Sequence, residues 1–457
     1  MTIRRTIGFS AVGALTWASA ASAHGIGSRG DLPIPKNFFL VAAMLAVVIS
    51  FFVAAVMWQT ARLATMSQGR PLGGWTGRLA TIGVPVGRTI GLVAFVVVVI
   101  AAWGGPTNPS DNIAPVAVYV VFWILLLWAC ALFGDLWRAL NPWDTIAMYA
   151  SGRIGPAKAP MPDDGRLLVT SHWPAVAGLF AFQWLELAHP EPSNPRVLAV
   201  AITAYSLIVF AAAARWGRAW IQTGEGFTVL FTLAAAIAPF GRDSNGRRVI
   251  RRPFSGLAAV PARRGLSAVV VTVIGGTTFD GISRSRWFVD AFGDVQGWER
   301  SAINTVGLVG AILAVAVLYL VGTRLVARIG RGDARRTAVR FAPSLVPIAV
   351  AYSVAHYFSL AVFEGQSAWR LLSDPYGQGW NLFGTADHQI DYRVMGATTI
   401  ALVQTMAIVI GHIAGVILAH DRALEDFGQK RATASQIPML AVMVALTLTG
   451  LTLLLSA

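Results

Sequence analysis

Long runs of apolar residues, separated by short polar loops, dominate this chain. A transmembrane helix needs about 20 such residues, and ten runs approach that length, although several are interrupted by Gly, Trp or polar residues. The predicted spans are residues 38–57, 84–103, 113–134, 173–187, 197–214, 266–279, 303–323, 341–363, 395–419 and 437–456. The pattern therefore predicts an all-α, polytopic transmembrane helix bundle, with residues 24–457 forming a single domain.

The first 23 residues have the organisation of a secretory signal peptide. A short basic start precedes an apolar stretch, and the small residues Ala21, Ser22 and Ala23 form a cleavage tripeptide. Cleavage there would make His24 the first residue of the mature chain, on the exported side of the membrane. The alternative is an uncleaved first anchor, but its apolar part is short for a span.

Arginine is concentrated in three loops, residues 58–88, 241–265 and 324–340. Loops rich in Lys and Arg stay in the cytoplasm, so all three are predicted to face inward. With ten spans, this holds only if the additional apolar run 226–240 enters the membrane and returns to the same side. We therefore predict a re-entrant or interfacial helix there. It should be buried in the bundle, because irregular backbone at membrane depth requires protein around it.

Composition agrees with a membrane protein, since 55% of the residues are hydrophobic and only 13% are charged. The net charge of +14 is explained by the arginine-rich loops, and no motif indicates nucleic acid, so the predicted environment is a lipid bilayer. Cys130 is the single cysteine, which excludes a disulfide within the chain. No P-loop, GxSxG or CxxCH motif is present.

Ionisable residues near the exported ends of the spans form one candidate site, because such residues are costly in a membrane. The α-amine and ring of an amino-terminal His24 can chelate a single metal ion, and a second imidazole would give a strong zinc or copper site. For each of these residues, a solvated surface position is the alternative. The group comprises His24, Asp31, Asp111, Glu186, His189, Asp280, His356, Asp374, Asp387, His388 and Asp391.

A second, inner group contains Asp135, His412, His420 and Asp421. His412 and His420 are eight positions apart and so lie on roughly one helix face. They could bind a metal or relay protons. We favour the structural interpretation, in which these side chains only hydrogen-bond neighbouring helices.

Seven stretches, in the same order along nearly the whole mature chain, resemble the fenitrothion hydrolase family of integral-membrane bacterial proteins. They are "HGIGSRGDLPIP" at 24–35, "FGDLWRALNPW" at 133–143, "GTTFDGIS" at 276–283, "LVPIAVAYSVAHYFSL" at 345–360, "LFGTADHQIDY" at 382–392, "GHIAGVILAHDRAL" at 411–424 and "MLAVMVALTLTGLTLL" at 439–454. The resemblance implies a location in the bacterial cytoplasmic membrane. It also implies hydrolysis of a small apolar aryl organophosphorus triester, in which water attacks phosphorus and a nitrophenol leaves.

Chemistry and placement then suggest a divalent metal, zinc or copper, that polarises the P=S or P=O group and supplies hydroxide. His24, His356 and Asp31 would be ligands, and Asp280 a ligand or the base that orients water. Asp391 and Asp374 are further catalytic candidates, Asp391 as a ligand or as a carboxylate supporting one.

Two alternatives differ in class from an enzyme. A permease or metal-handling protein could use the outer and inner histidines as two ends of one path, although the inverted repeat common in transporters is not visible. A structural subunit that needs a partner subunit is the other alternative.

Overall fold

A computed structural model describes residues 36–152 and 164–454, which form a bundle of helices with one very small sheet. The predicted signal peptide, His24 and Asp31 lie outside the described residues. The principal helices are α1 (Lys36–Met57), α2 (Gly74–Gly104), α3 (Ile113–Phe133), α4 (Trp173–Leu187), α5 (Pro195–Trp216), α6 (Gly226–Ala235), α7 (Leu266–Ser283), α8 (Gly297–Gly330), α9 (Val346–Phe363), α10 (Ala397–Phe427) and α11 (Gln429–Leu454).

Shorter helical segments connect them. These are Leu63–Ser67, Pro109–Asp111, Trp137–Leu140, Pro142–Ala150, Arg218–Trp220, Ile221–Gly224, Ser255–Ala259, Arg286–Phe292, Ala334–Phe341, Ala342–Leu345, Glu364–Gln366 and Ser367–Ser373. The sheet has three strands, β1 (Arg70–Pro71), β2 (Phe240–Arg242) and β3 (Arg248–Ile250), all antiparallel in the order β1-β3-β2.

Within the described ranges, nine helical stretches are long and apolar enough to cross a membrane, which agrees with the predicted helical bundle. Eight of these are among α1 to α11, and the ninth, Ala334–Ser373, contains α9. The predicted span 173–187 is helical over the same residues, Trp173–Leu187. At 1.5 Å per residue α4 is about 22 Å long, so it is shorter than a hydrocarbon core of about 30 Å.

Helix α2 begins at Gly74, ten residues before the predicted span, so the loop predicted at 58–88 overlaps the helix and Arg88 belongs to the helix. Arg88 is buried inside the helix and not in a cytoplasmic loop. Its guanidinium lies 2.7 Å from the Asp144 carboxylate, which also binds Arg218 at 2.6 Å. A buried arginine is tolerated there because the carboxylate compensates its charge.

Helix α6 is buried at nearly every position, as predicted for the run 226–240. Its first turn is capped by Glu225, whose carboxylate accepts hydrogen bonds from the amides of Phe227 and Thr228 at 2.9 and 2.7 Å. Phe227 packs edge-on against Phe122 and Phe182, at the centre of the largest hydrophobic core. The helix therefore lies within the bundle; its return to the same membrane side stays a prediction.

The three arginine-rich loops meet at one end of the bundle. Strand β1 of the first loop pairs with β3 of the second. The end of α10 connects the second loop to the third. Arg422 of α10 donates to the Ala258 carbonyl of the second loop at 2.9 Å, and Arg340 of the third loop donates to Asp426 of α10 at 2.8 Å. This clustering agrees with the predicted sorting of loops. Which membrane side they face stays a prediction.

Candidate functional site

Packing of α7 against α9 brings Asp280 and His356 into direct contact. The Nε2 nitrogen of His356 lies 2.7 Å from Oδ2 of Asp280. Asp280 is only 1% exposed, and the His356 side chain is 11% exposed. The structure therefore places two of the sequence-predicted site residues at hydrogen-bonding distance inside the bundle.

The glycines before Asp280 explain how α7 packs so closely to its neighbours. A Cβ atom on Gly276 would lie 2.0 Å from the side-chain amide of Gln183 on α4. A Cβ on Gly275 would lie 2.6 Å from the Ile312 Cα on α8. The Gln183 amide could move aside, but the Ile312 backbone could not, so glycine at position 275 sets how closely α7 and α8 approach each other.

Arg284 is the second partner of Asp280. Its Nε atom donates to Asp280 Oδ1 at 2.7 Å, one helical turn further along. Both carboxylate oxygens are thus hydrogen-bonded, one to a guanidinium and one to an imidazole. Such pairing offsets the desolvation that a buried carboxylate suffers.

Glu186 and Tyr357 extend the cluster. The Tyr357 hydroxyl lies 3.4 Å from Glu186 Oε1, a long hydrogen bond, and the Tyr357 and His356 ring centroids are 4.8 Å apart. Glu186 is also within electrostatic reach of Asp280 and Arg284. Its Oε2 atom is buried and has no hydrogen-bond partner in the described part of the chain. The cluster therefore holds a second carboxylate with an oxygen available to a ligand.

The contact with Asp280 determines which ring nitrogen of His356 can act as a base or bind a cation. An ionised carboxylate only accepts hydrogen bonds, so Nε2 must donate to Asp280. In the neutral ring, Nδ1 then carries the lone pair, and no group among residues 36–152 and 164–454 hydrogen-bonds it. An imidazole held in this way can accept a proton from water or bind a cation through Nδ1.

Two of the four predicted metal ligands, Asp280 and His356, lie within the described residues. Across these ranges, no group of three or more His, Cys, Asp or Glu side chains is arranged to hold a metal ion. Both oxygens of Asp280, predicted as a ligand, already bind His356 and Arg284. The other two predicted ligands, His24 and Asp31, lie outside the described residues.

Asp374 and Asp391 lie in the connection between α9 and α10, apart from the pair. Asp374 accepts the amides of Gln378 and Gly379 at 2.8 and 2.7 Å, and so caps a turn. Asp391 is exposed, and its Oδ1 accepts the Arg393 amide at 2.8 Å. In the described ranges neither carboxylate hydrogen-bonds Asp280 or His356.

Two members of the inner group, Asp421 and His420, hydrogen-bond a neighbouring segment. Asp421 Oδ1 accepts from Trp58 Nε1 at 2.8 Å and from the Arg62 amide at 2.7 Å. His420 Nε2 lies 3.1 Å from the Trp58 carbonyl oxygen. These contacts tie the end of α1 to α10. His412 differs, because its Nδ1 binds only the Ile408 carbonyl of its own helix, at 2.8 Å.

Sequence reasoning missed Arg284 and Tyr357. The spacing in "DGISR" was a usable signal for Arg284, because an acid and a base four positions apart face each other on a helix. Nothing local distinguishes Tyr357 from an ordinary core tyrosine; its role depends on α4 lying beside α9.

No family model, curated protein or solved structure matches this chain. The geometry of the site and the motif resemblance are therefore the grounds for assigning a function.

Proposed function

We propose that the chain is a membrane-bound hydrolase of aryl organophosphorus triesters, of the fenitrothion-type phosphorothioate class, acting at the Asp280–His356 pair. The observation that carries the proposal is the 2.7 Å contact between His356 Nε2 and Asp280 Oδ2. A carboxylate that orients an imidazole is the recurring arrangement for a general base. The motif resemblance supplies the substrate class.

In the proposed reaction His356 is the catalytic residue and Asp280 and Arg284 position it. The His356 Nδ1 atom takes a proton from water while the water oxygen forms a bond to phosphorus. The bond between phosphorus and the aryl oxygen breaks, and the nitrophenolate that leaves takes the proton from the imidazolium. Asp280 stabilises the imidazolium, and Arg284 holds the Asp280 carboxylate in place.

The apolar surroundings fit this substrate. An uncharged aryl triester partitions into a bilayer, and the helices that hold the pair, α7 and α9, belong to stretches apolar enough to span one. The proposed location is the exported end of the bundle, opposite the arginine-rich loops. A substrate dissolved in the membrane would then reach the pair without crossing it.

A divalent metal, zinc or copper, enters the proposal only with ligands from His24 and Asp31. His356 would bind it through Nδ1, with Asp280 on the other ring nitrogen, as in many metal-bound histidines. Such an ion would polarise the P=S or P=O group. The general-base reaction above does not require it.

The decisive experiment compares His356→Gln with His388→Gln, a matched change at an exposed loop histidine. Membranes with equal amounts of each protein are given an aryl phosphorothioate, and nitrophenol release is measured. Loss of a general base should reduce the rate by about 10²-fold or more in His356→Gln, with His388→Gln unchanged. Equal rates in both variants would remove the pair from the reaction.

The metal question has its own test, a His24→Ala variant with the cleavage site intact, assayed with and without a chelator. Sensitivity of the parent protein to the chelator, together with loss of activity in His24→Ala, would support an ion bound at the new amino terminus. Insensitivity and full activity in the variant would leave His356 as a general base alone.

A transporter is the second candidate, and it is favoured by the unpaired Glu186 Oε2 inside the bundle. Buried carboxylates without partners often mark proton or ion paths in membrane proteins. Proton or metal flux into proteoliposomes that is lost in Glu186→Gln, with no nitrophenol release, would establish this alternative. Absence of both activities would point to a missing partner subunit.

A further inference from the structure

A cavity of about 230 Å³ lies between helices α7 to α11, and Tyr352 is one of the residues that line it. Its wall is mostly aliphatic. The lining residues used in the argument are Thr278, Ala314, Tyr352, His412, Thr449 and Gly450. An apolar cavity of about 150 Å³ is large enough to hold benzene, so this one has room for a substituted aromatic ring.

One wall of the cavity carries an imidazole without a partner for one nitrogen. His412 is only 4% exposed. Its Nδ1 lies 2.8 Å from the Ile408 carbonyl, which can only accept, so Nδ1 is the donor. In the neutral ring Nε2 is then an acceptor, and in the described part of the chain nothing donates to it. A buried acceptor without a hydrogen bond costs free energy, so such atoms are rare in folded proteins. A bound ligand could supply the missing donor.

A second polar atom on the wall has the same character. The Tyr352 hydroxyl is buried, and within the described ranges it makes at most a loose contact with Thr278 and no full hydrogen bond. It lies next to Thr278, whose own hydroxyl donates to the Ile274 carbonyl at 2.8 Å. The cavity thus combines an aliphatic wall with an acceptor at His412 and a hydroxyl at Tyr352. A few polar groups in an apolar pocket are typical of small-molecule sites.

Two lining residues, one on α8 and one on α11, reach the surface of the bundle, and we infer that the cavity is entered between these helices. Ala314 and Thr449 are exposed at its mouth, whereas Gly450 is buried behind them. Next to the mouth, Leu313 and Val317 are 57% and 60% exposed, as expected for a surface that faces lipid. A molecule dissolved in the bilayer could therefore enter between these helices without passing through water.

We propose that this cavity binds a small aromatic molecule with a single hydroxyl group, a phenol, that enters from the bilayer. The phenol hydroxyl donates to His412 Nε2 and accepts from the Tyr352 hydroxyl. Its ring fills the aliphatic part of the cavity. This binding site is separate from the proposed hydrolysis and does not depend on it.

The test measures binding of 4-fluorophenol to the full-length protein in lipid nanodiscs by fluorine NMR, with empty nanodiscs as the partitioning blank. Fluorobenzene, which lacks the donor, is the comparison ligand. Saturable binding is expected, with 4-fluorophenol about five- to tenfold tighter because it gains the hydrogen bond to His412. His412→Phe should abolish that preference and His412→Gln, which keeps an acceptor, should retain part of it.

Gly450→Leu tests the location. A Cβ on Gly450 meets Tyr352 at 3.7 Å, an ordinary contact, so the rest of a leucine side chain would occupy the cavity. The matched control is Gly310→Leu on the exposed surface of α8, where a Cβ meets nothing within 4 Å. Loss of binding in Gly450→Leu alone supports the proposal.

One more variant, Ala314→Trp, keeps the test decisive if Gly450→Leu does not fold. Ala314→Trp places a large ring at the exposed mouth and should slow binding at least severalfold. Non-saturable uptake by the parent protein, or unchanged binding in both Gly450→Leu and Ala314→Trp, would overturn the proposal.

Discussion

The imidazole of His356 donates to the carboxylate of Asp280 across 2.7 Å, although the two residues are 76 positions apart in the chain. The bond exists because two apolar helices, α7 and α9, pack side by side and each carries one ionisable residue at the same depth. Arg284 completes the arrangement by occupying the other oxygen of the carboxylate.

Replacing Asp280 by Asn should reduce hydrolysis of an aryl phosphorothioate by about 10²- to 10⁴-fold. The amide has the shape of the carboxylate, but it neither stabilises the imidazolium nor fixes the ring proton on Nε2. Nitrophenol release by membranes with equal protein content checks this. Asp374→Asn is the matched control, because that carboxylate only caps a turn. Similar losses in both variants would count against a positioning role for Asp280.

Replacing Arg284 by Gln should lower the free energy of unfolding by about 1–3 kcal/mol. The change removes the charged group that donates to Asp280 Oδ1. The His356 imidazole still donates to the other oxygen of this buried carboxylate. The Arg284 side chain is 34% exposed, so water offsets part of the loss. Thermal unfolding of the purified protein in detergent measures the effect.

Arg286→Gln is the control for that experiment. Arg286 is exposed on the following short helix, and its replacement should change stability by no more than about 0.5 kcal/mol. If the two variants unfold at the same temperature, the Asp280–Arg284 pair contributes little to stability.

Replacing Asp421 by Ala should detach the end of α1 from α10 and destabilise the protein by about 2–4 kcal/mol. The Trp58 ring nitrogen and the amides of Arg62 and Leu63 would all lose their shared acceptor. Limited proteolysis near Arg62 should become faster, and the unfolding temperature should fall. Asp290→Ala, at an exposed position, should leave both measurements unchanged.

Replacing Gly91 by Ala should disrupt the contact between α2 and the helix Trp137–Leu140. The new methyl carbon would lie 1.8 Å from the Leu140 carbonyl oxygen, so the backbones must separate, at a cost of about 1–3 kcal/mol or more. In the same helix, Gly83→Ala meets nothing within 4 Å. That variant should be neutral or stabilised by up to about 1 kcal/mol, because Ala favours helix. Measuring the unfolding temperatures of the two variants under the same conditions tests this prediction.

Helix positions could be predicted from the sequence wherever the signal was local. A run of apolar residues specifies a buried or membrane helix without reference to the rest of the chain, and the residues predicted for α4 are those observed. The start of α2 could not be predicted in this way. Arg88 fell within both a predicted span and a predicted loop, and only the contact with Asp144, 56 positions away, explains how its charge is compensated inside the helix.

The candidate site likewise has features that the sequence predicted and features that depended on the tertiary structure. The sequence by itself determined that Asp280 and His356 were unusual, because ionisable residues in apolar helices are costly and need a reason. Only the tertiary structure decided that they bind each other, that Glu186 and Tyr357 lie beside them, and that Asp374 and Asp391 serve local turns. Those contacts depend on how each helix is rotated and how closely it packs against its neighbours. Glycines such as Gly275 and Gly276 contribute to this packing because they meet residues of other helices. No local sequence pattern specifies such contacts.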